Sequence, residues 1–291
     1  MDISASVLGQ MLLSGALMGS IYGAVAMGFS LIFGVAKIVN FAHAGVVVWV
    51  MYGVLVAVRS GIAHPYVAGL VAIPLCYLLG HAVQRTLMAR VSAMSDDMQI
   101  IYTFGLLIVL TYLAQFFFGP DVHFLQSSGR SLEFGGVVLQ TEMVIAGALA
   151  LGSALALHAF LSRTWLGKAI RASADNRRGA VLIGLDVVRL SRVAMALSFA
   201  LAALAGTILI TFTTLYPLRG FELAVLAFVV VVLGGLQNVF ASFIAGVLIG
   251  MFEAVGTLIY SPSIAQLGIY GLIFAVLLVR PQGLIRLSGK Q

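Results

Sequence analysis

Charged residues and cysteine are both scarce in this sequence. Asp, Glu, Lys and Arg make up 9% of its 291 residues, whereas 62% of the residues are hydrophobic. Soluble globular domains typically have about a quarter of their residues charged, so this composition excludes that class and predicts a polytopic membrane protein. The single cysteine, Cys76, lies within an apolar run. We therefore expect no disulfide framework, no cysteine-based metal site and no redox chemistry.

The sequence also lacks the residue patterns of common catalytic and metal sites. Its five histidines are scattered without ligand spacing, and no Ser/His/Asp group or carboxylate pair occurs in one local context. A phosphate-binding loop is missing, because Ser288-Gly289-Lys290 has no glycine five residues before Gly289. We therefore expect no catalytic residues, no metal, no cofactor and no ATPase site within this chain.

The net charge of +6 does not indicate nucleic-acid binding. The basic residues fall between apolar segments, where they set orientation and contact anionic lipid headgroups. We therefore expect membrane lipid and no nucleic acid among the partners. The amino terminus has no basic region ahead of its first apolar run, so a removable signal peptide is not expected.

Apolar runs of membrane-spanning length are abundant, since about 20 residues suffice to cross a bilayer. The long runs cover residues 7–36, 65–84, 98–118, 141–161, 193–215, 239–260 and 264–280. Two others, at 46–58 and 223–233, are short and adjoin polar interruptions. We predict an all-α polytopic transmembrane helical bundle with about eight to nine membrane segments, two of them broken or short. It forms one domain over residues 1–291.

The two polar interruptions, residues 37–45 and 234–238, are the candidate substrate pathway. Non-helical backbone at membrane depth must be surrounded by protein or water, and broken helices offer dipoles and hydrogen bonds to a polar solute. The polar side chains and close-approach glycines at these breaks are Asn40, His43, Gly45, Gly234, Gly235 and Asn238. A structural alternative is equally open, in which the glycines pack helices and the asparagines cap them.

Residues 162–192 interrupt two apolar segments and hold seven of the sixteen Lys and Arg residues. This stretch contains no proline, and apolar residues recur at helical spacing until Gly184 ends the pattern. We interpret it as a short helix on the cytoplasmic surface, against which another protein can push. The alternative is an ordinary basic loop that only fixes topology.

The distribution of basic residues predicts the orientation of the chain. If the loops after residues 84, 161 and 280 and the break at Lys37 are cytoplasmic, thirteen of the sixteen Lys and Arg residues lie inside. Only Arg59, Arg130 and Arg219 then lie outside. This asymmetry predicts a periplasmic amino terminus and a cytoplasmic carboxyl terminus.

Glu253 is the one carboxylate well inside a predicted span. An acid at this depth suggests function by default, and a proton relay would make the protein a secondary carrier. No second acid or lysine lies in a span to continue such a relay. This favours a pairing or packing role for Glu253.

Four motifs in register resemble the inner-membrane permease family of branched-chain amino acid ABC importers. They are Gly19-Ser20-Ile21-Tyr22-Gly23 through Gly34, Val39-Asn40-Phe41-Ala42-His43, the central Arg171-Ala172 with Asp175-Asn176, Ala180 and Gly184-Leu185, and Val232-Leu233-Gly234-Gly235-Leu236. The resemblance runs over nearly the whole chain in the same order. Two departures are modest: Ala44 stands where the family often has glycine, and Leu185 where isoleucine is common.

The resemblance implies a subunit of a bacterial inner-membrane importer. Its partners would be a second, related permease, two cytoplasmic ATPase subunits and a periplasmic substrate-binding protein. The family's coupling helix would correspond to the loop 162–192, with Arg171, Asp175, Ala180 and Gly184 at the ATPase-docking positions. The implied solutes are branched-chain or other hydrophobic amino acids, with urea, amides and aromatic acids as alternatives. A proton-coupled carrier or channel that uses Glu253 is the rival class.

Overall fold

The computed structural model describes residues 5–92, 94–125, 129–134 and 136–279. Its helices are α1 (Ala5–Ala36), α2 (Ala42–Arg59), α3 (Pro65–Val83), α4 (Ala89–Val91), α5 (Asp96–Phe118), α6 (Thr141–Arg163), α7 (Trp165–Asp175), α8 (Arg177–Leu182), α9 (Val187–Leu209), α10 (Arg219–Gly234), α11 (Val239–Ile259) and α12 (Pro262–Val279). A π-helical segment, Gln84–Met88, joins α3 to α4. The chain is thus a mainly helical bundle, as predicted.

Helix α1 lies at the centre of the bundle, and glycine makes its packing possible. Gly15, Gly19 and Gly23 face α11, and an added Cβ on Gly19 would lie only 2.7 Å from the Cα of Val247. Gly15 lies against Gly250, whereas Gly23 lies against residue 243, so the two helices run antiparallel. Because the glycines recur every four residues on one face, the two backbones approach closely.

Helix α9 is the second core helix and packs between α1, α2 and α3. Gly206 of α9 lies against the backbone of α2, and Gly80 of α3 lies against Phe199 of α9. By contrast, α3 and α5 have large exposed apolar side chains. Leu70 of α3 is 70% exposed, and Phe116 of α5 is 81% exposed. These two helices therefore lie at the periphery of the bundle, where apolar surface suits a membrane environment.

Seven helices in the described part of the chain are long and apolar enough to cross a membrane: α1, α2, the continuous α3–α4 segment, α5, α6, α9 and α11. Helix α10 has 16 residues and α12 has 18, and neither belongs to this set. The all-α polytopic architecture is therefore supported. The count of eight to nine membrane segments stays a prediction.

The two ends of the bundle differ in structure. At one end, strands β1 (Ser131–Phe134) and β2 (Val137–Gln140) form an antiparallel hairpin, and Gln10 of α1 donates a hydrogen bond to the Val138 carbonyl. At the other end, the carboxyl end of α1 meets α7, since Gly34 faces the Cβ of Ala174. We call these the hairpin end and the basic end of the bundle.

Three predicted boundaries are corrected by the structure. The first interruption covers only residues 37–41, because the His43 and Ala44 N–H groups already donate to the carbonyls of residues 40 and 41 and start α2. Helix α2 therefore has 18 residues and is not short, and both His43 and Gly45 lie within it. The second short run is a 16-residue helix that starts at Arg219 rather than residue 223.

The central stretch also differs from the single short helix that the sequence predicts. It forms two helices, α7 and α8, because Asn176 ends the first and caps the second. Asp186 then caps α9, so Arg189 and Arg192 belong to that long helix rather than to the loop. Arg280, Arg286 and Lys290, which contribute to the predicted orientation, lie outside the described residues.

Candidate functional site: two interrupted segments and a basic helical loop

The first interruption is a tightly held link between α1 and α2. Lys37 has a φ of 57°, a left-handed conformation that ends α1 and that glycine usually occupies. Thr103 of α5 donates a hydrogen bond of 2.7 Å to the Val39 carbonyl. Phe41 packs edge-to-face on Phe29 and Phe104. The link thus packs against both α1 and α5.

Asn40 and His43 are brought together on one face of α9. The Asn40 amide contacts the Met195 sulfur at 3.8 Å, and His43 Nδ1 lies 3.1 Å from the Ser198 hydroxyl. Asn40 is 1% exposed and His43 is fully buried. Since Met195 and Ser198 are three residues apart, they lie on the same face of α9. These two predicted pathway residues therefore share one buried polar site.

This buried polar site is incompletely satisfied. Asn40 Oδ1 has no hydrogen-bond partner, whereas the His43 ring also interacts with the Val25 carbonyl of α1. The imidazole fits because Gly28 of α1 has no side chain, since a Cβ there would lie 2.7 Å from His43 Cε1. Buried polar atoms usually find a partner, and leaving them unpaired costs free energy. The site therefore has one unused hydrogen-bond acceptor, the Asn40 Oδ1.

The second interruption is built as a helix end followed by a capped start. Gly235 has a φ of 93°, and the Asn238 Oδ1 accepts a 3.0 Å hydrogen bond from the Ala241 N–H group. Gly234 packs directly on the α11 backbone, where a Cβ would lie 2.5 Å from the Ser242 Cα. Asn238 therefore acts as a cap and Gly234 as a packing residue.

The two interruptions lie close together in the structure, whereas Gly45 faces a different helix. Phe228 of α10 packs on Phe41, and Ser30 of α1 donates a hydrogen bond to the Leu236 carbonyl, so both interruptions contact the same part of α1. Gly45 instead faces Leu110 of α5 and serves helix packing. Asn40 and His43 are the two buried polar side chains among the six, and the Asn40 Oδ1 is unpaired.

The central loop is held by a series of side-chain caps. Thr164 accepts a hydrogen bond from the Gly167 N–H group at the start of α7, and Asn176 accepts one from Gly179 at the start of α8. Gly184, at φ 83°, then reverses the chain before α9. Such caps offset the unpaired N–H groups of short helices. The loop is therefore ordered by its own sequence.

Helix α8 ends in exposed apolar residues, which two arginines border. Val181, Leu182 and Ile183 are 58%, 87% and 74% exposed, and Arg177 and Arg178 border them. We call Val181, Leu182 and Ile183 the apolar tip. Adjacent exposed apolar side chains of this kind are a candidate contact surface. Sequence reasoning did not select them, although the alternation of exposed Leu182 with buried Ala180 was a possible signal.

The predicted coupling residues divide into exposed and buried positions. Arg171, Asp175 and Gly184 are exposed, whereas Ala180 is 3% exposed and packs into the loop. Gly184 has open space around its Cα. Arg171, Asp175 and Gly184 can therefore meet a partner directly, and Ala180 can act only by holding α8.

Lys37 is a residue of this region that sequence reasoning did not select. Its Nζ donates a 3.1 Å hydrogen bond to the Ala174 carbonyl in the last turn of α7. Partial burial lowers the pKa of the Lys37 ammonium group, and the nearby Asp175 carboxylate opposes this shift. Lys37 thus joins the first interruption to the central loop.

Glu253 has a partner in the structure. The Tyr22 hydroxyl of α1 donates a hydrogen bond to it, and Arg219 at the start of α10 is close enough to affect its charge. Arg219 itself forms an ion pair of 3.1 Å with Glu222, whose other oxygen accepts a hydrogen bond from Tyr216. Burial and this bond raise the pKa of Tyr216. The Tyr22 contact fits the predicted pairing role of Glu253.

No group of three or more His, Cys, Asp or Glu side chains that could hold a metal ion occurs in the described ranges. The features that remain are apolar spanning helices, two interrupted segments and a capped basic loop with an exposed tip. Together they define a membrane transport permease.

The chain belongs to the family described as branched-chain amino acid transport system, permease component, which matches residues 11–278. The high-affinity branched-chain amino acid transport system permease protein BraD of Pseudomonas aeruginosa is 26% identical over 296 residues, covering 95% of each chain. The corresponding LivH protein of Escherichia coli is 27% identical over 292 residues, covering 95% of this chain and 94% of LivH. The predicted family is thereby confirmed.

Two further comparisons are more limited. A probable branched-chain amino acid transport permease protein, LivH of Methanocaldococcus jannaschii, is 27% identical over 169 residues, covering 54% of this chain and 51% of that protein. Among solved structures, PsaBC from Streptococcus pneumoniae in complex with Fab is similar with a TM-score of 0.52 and 14% identity. The similarity covers 96% of this chain and 93% of that chain, and it concerns the fold alone.

Proposed function

We propose that this chain is the transmembrane permease subunit of a binding-protein-dependent ABC importer for branched-chain or other hydrophobic amino acids. The observation that carries the proposal is the family match over residues 11–278, together with relatives of the same length named for this transport. The subunit lies in the bacterial inner membrane as a single permease domain spanning residues 1–291. It pairs with a second, related permease and receives its solute from a periplasmic binding protein.

ATP hydrolysis is coupled to transport through the central loop 162–192. Two cytoplasmic ATPase subunits hydrolyse ATP, and one of them docks on the apolar tip of α8, with Arg171, Asp175 and Gly184 at the edge of the contact. Because the tip is bordered by Arg177 and Arg178, the docking groove would be apolar with an acidic rim. Closure of the ATPases then shifts α7 and α8 and biases the bundle between outward-open and inward-open states.

The solute passes the interrupted segments. Asn40 offers it an oxygen, Oδ1, that no protein group uses, and His43 lies beside it in the same buried polar site. Gly45, Gly234, Gly235 and Asn238 shape the surrounding helices through packing and capping. In this orientation the hairpin end, with the amino terminus, is periplasmic, and the basic end, with the carboxyl terminus, is cytoplasmic.

Transport by reconstituted complexes tests the proposal. The permease, its partner permease, the ATPases and the binding protein are placed in proteoliposomes, and uptake of radiolabelled leucine is measured with ATP and without a proton gradient. Leucine uptake that requires ATP and the binding protein is the expected result. Uptake driven by a pH gradient without ATP would instead identify a proton-coupled carrier. Competition by urea, amides or aromatic acids, with no competition by amino acids, would reassign the solute.

A further inference from the structure

Lys37 occupies a position where its backbone conformation is unfavourable. At a φ of 57° an L side chain is strained, and helices that end in this way usually have glycine there. The Lys37 N–H group still donates to the Phe33 carbonyl, so the residue closes the last turn of α1. Glycine would meet the backbone requirement with less strain. The presence of lysine therefore points to a use for its side chain.

The Lys37 side chain crosses from α1 to the central loop. Its ammonium group donates to the Ala174 carbonyl at 3.1 Å and lies 5.9 Å from the centre of the Phe33 ring. Ala174 is in the last turn of α7, where carbonyls lack helical partners and the helix dipole attracts a cation. A Cβ added to Gly34 would lie 3.6 Å from the Ala174 Cβ, so the two helices also pack against each other.

On its other side Lys37 leads directly into the buried polar site. Two residues separate it from Asn40, and the intervening backbone is held by the Thr103 hydrogen bond to Val39. The His43 N–H group donates to the Asn40 carbonyl at 3.2 Å, which ties the link to the first turn of α2. A link this short and this well anchored cannot absorb a displacement of Lys37 by bending.

We propose that Lys37 is a positioning residue that transmits movement of α7 to the Asn40 and His43 site. This inference rests on the proposed ATP-driven function, because only then does a partner displace α7. When the ATPases shift the loop, the bond between the Lys37 ammonium group and the end of α7 moves residues 37–41. The solute-facing polar atoms then change position together with the loop.

The test measures solute transported per ATP hydrolysed in proteoliposomes that contain the complete complex. Lys37→Met removes the charge at similar length, Lys37→Gly removes the side chain while relieving the backbone strain, and Lys37→Arg keeps a donor. Arg90→Met is the matched control, because Arg90 is an exposed basic residue of α4 outside the central loop. Subunit assembly and thermal stability are measured for every variant.

We expect Lys37→Met and Lys37→Gly to lower the amount of solute transported per ATP hydrolysed by about 5-fold. The complex should still assemble in both variants. Lys37→Arg and Arg90→Met should keep the ratio of the unmodified complex. An unchanged ratio in Lys37→Met and Lys37→Gly would overturn the inference. The inference would also be overturned if transport fell only in proportion to a loss of assembled complex. Absence of ATP-dependent uptake by the unmodified complex would overturn the proposed function as well, so the two failures are distinguishable.

Discussion

Asn40 shows at the scale of one residue how a structural and a functional role can be separated. Its amide nitrogen has a weak sulfur acceptor, and its Oδ1 has no partner although the side chain is buried. Leaving this buried oxygen unpaired costs about 1–3 kcal/mol, and Asn40 differs from other such residues in lying at the first interruption. The cost is reasonable where a passing solute or water uses the oxygen.

Replacing Asn40 by Leu should therefore preserve folding and reduce transport. The substitution removes an unpaired acceptor at similar volume, so it should change the free energy of unfolding by less than about 1.5 kcal/mol. Transport should fall because the solute loses a hydrogen-bonding group. ATP-dependent uptake and the assembled fraction of the complex are the two measurements.

Thr111→Val is the matched control for Asn40→Leu. Thr111 is also buried and its hydroxyl is also unpaired, but it lies on α5 away from the interruptions. It should leave uptake unchanged. Equal loss of uptake in both variants, or normal uptake in Asn40→Leu, would contradict a pathway role for Asn40.

Glu253 leads to the opposite expectation. Glu253→Gln keeps an acceptor for the Tyr22 hydroxyl and removes only the charge that a proton relay requires. Uptake with ATP and without a pH gradient should therefore persist in this variant. Tyr22→Phe is the control, because it removes the hydroxyl that donates to Glu253 and leaves the Glu253 charge in place. If Glu253→Gln abolished uptake while Tyr22→Phe did not, the proton-coupled carrier would be the better explanation.

At the scale of elements, α8 separates the residues that hold the loop together from the exposed residues that we propose meet the ATPase. Ala180 faces inward, and the apolar tip faces outward. A bulky residue at Ala180 would displace α8 and so act on coupling indirectly, while any L residue at Gly184 would be strained by about 1–2 kcal/mol at its φ of 83°. The tip itself is therefore the sharper place to test docking.

Leu182→Asp should weaken the docking of the ATPase subunit. An exposed leucine that becomes buried on binding contributes about 1.5–3 kcal/mol, which is lost when a charge takes its place. Co-purification of the ATPase and leucine uptake should both fall, whereas the isolated permease should keep its thermal stability. Ile62→Asp is the control, because Ile62 is 77% exposed in the α2–α3 connection. Undiminished co-purification of Leu182→Asp would contradict the docking assignment.

At the scale of the whole molecule, the orientation of the bundle can be tested by cysteine labelling. Ser173 in the loop is fully buried, and Ser128 lies outside the described residues, so neither is a suitable site. In a Cys76→Ala background, Lys168→Cys at the basic end should react with a membrane-impermeant maleimide only from the cytoplasmic side. Leu132→Cys in the hairpin should react only from the periplasmic side, and the reverse pattern would overturn the orientation.

The sequence by itself determined the properties that depend on composition and on neighbouring residues. Low charge and long apolar runs required a helical membrane bundle, because unpaired backbone groups cannot face lipid. Gly184 and the basic residues of the central loop were enough to predict a helical segment outside the membrane between two spans. Its division into α7 and α8 follows from the cap at Asn176, a local signal that the predicted single helix overlooked.

Only the tertiary structure decided which distant residues act together. His43 meets Ser198 across 155 residues of chain, and Lys37 meets Ala174 across 137, contacts that no hydropathy period or local motif encodes. The same holds for burial within the loop, since Ala180 is covered and Leu182 is exposed according to what packs beside α8. Apolar periodicity specifies that a helix forms, whereas side-chain packing between helices specifies what each of its faces touches.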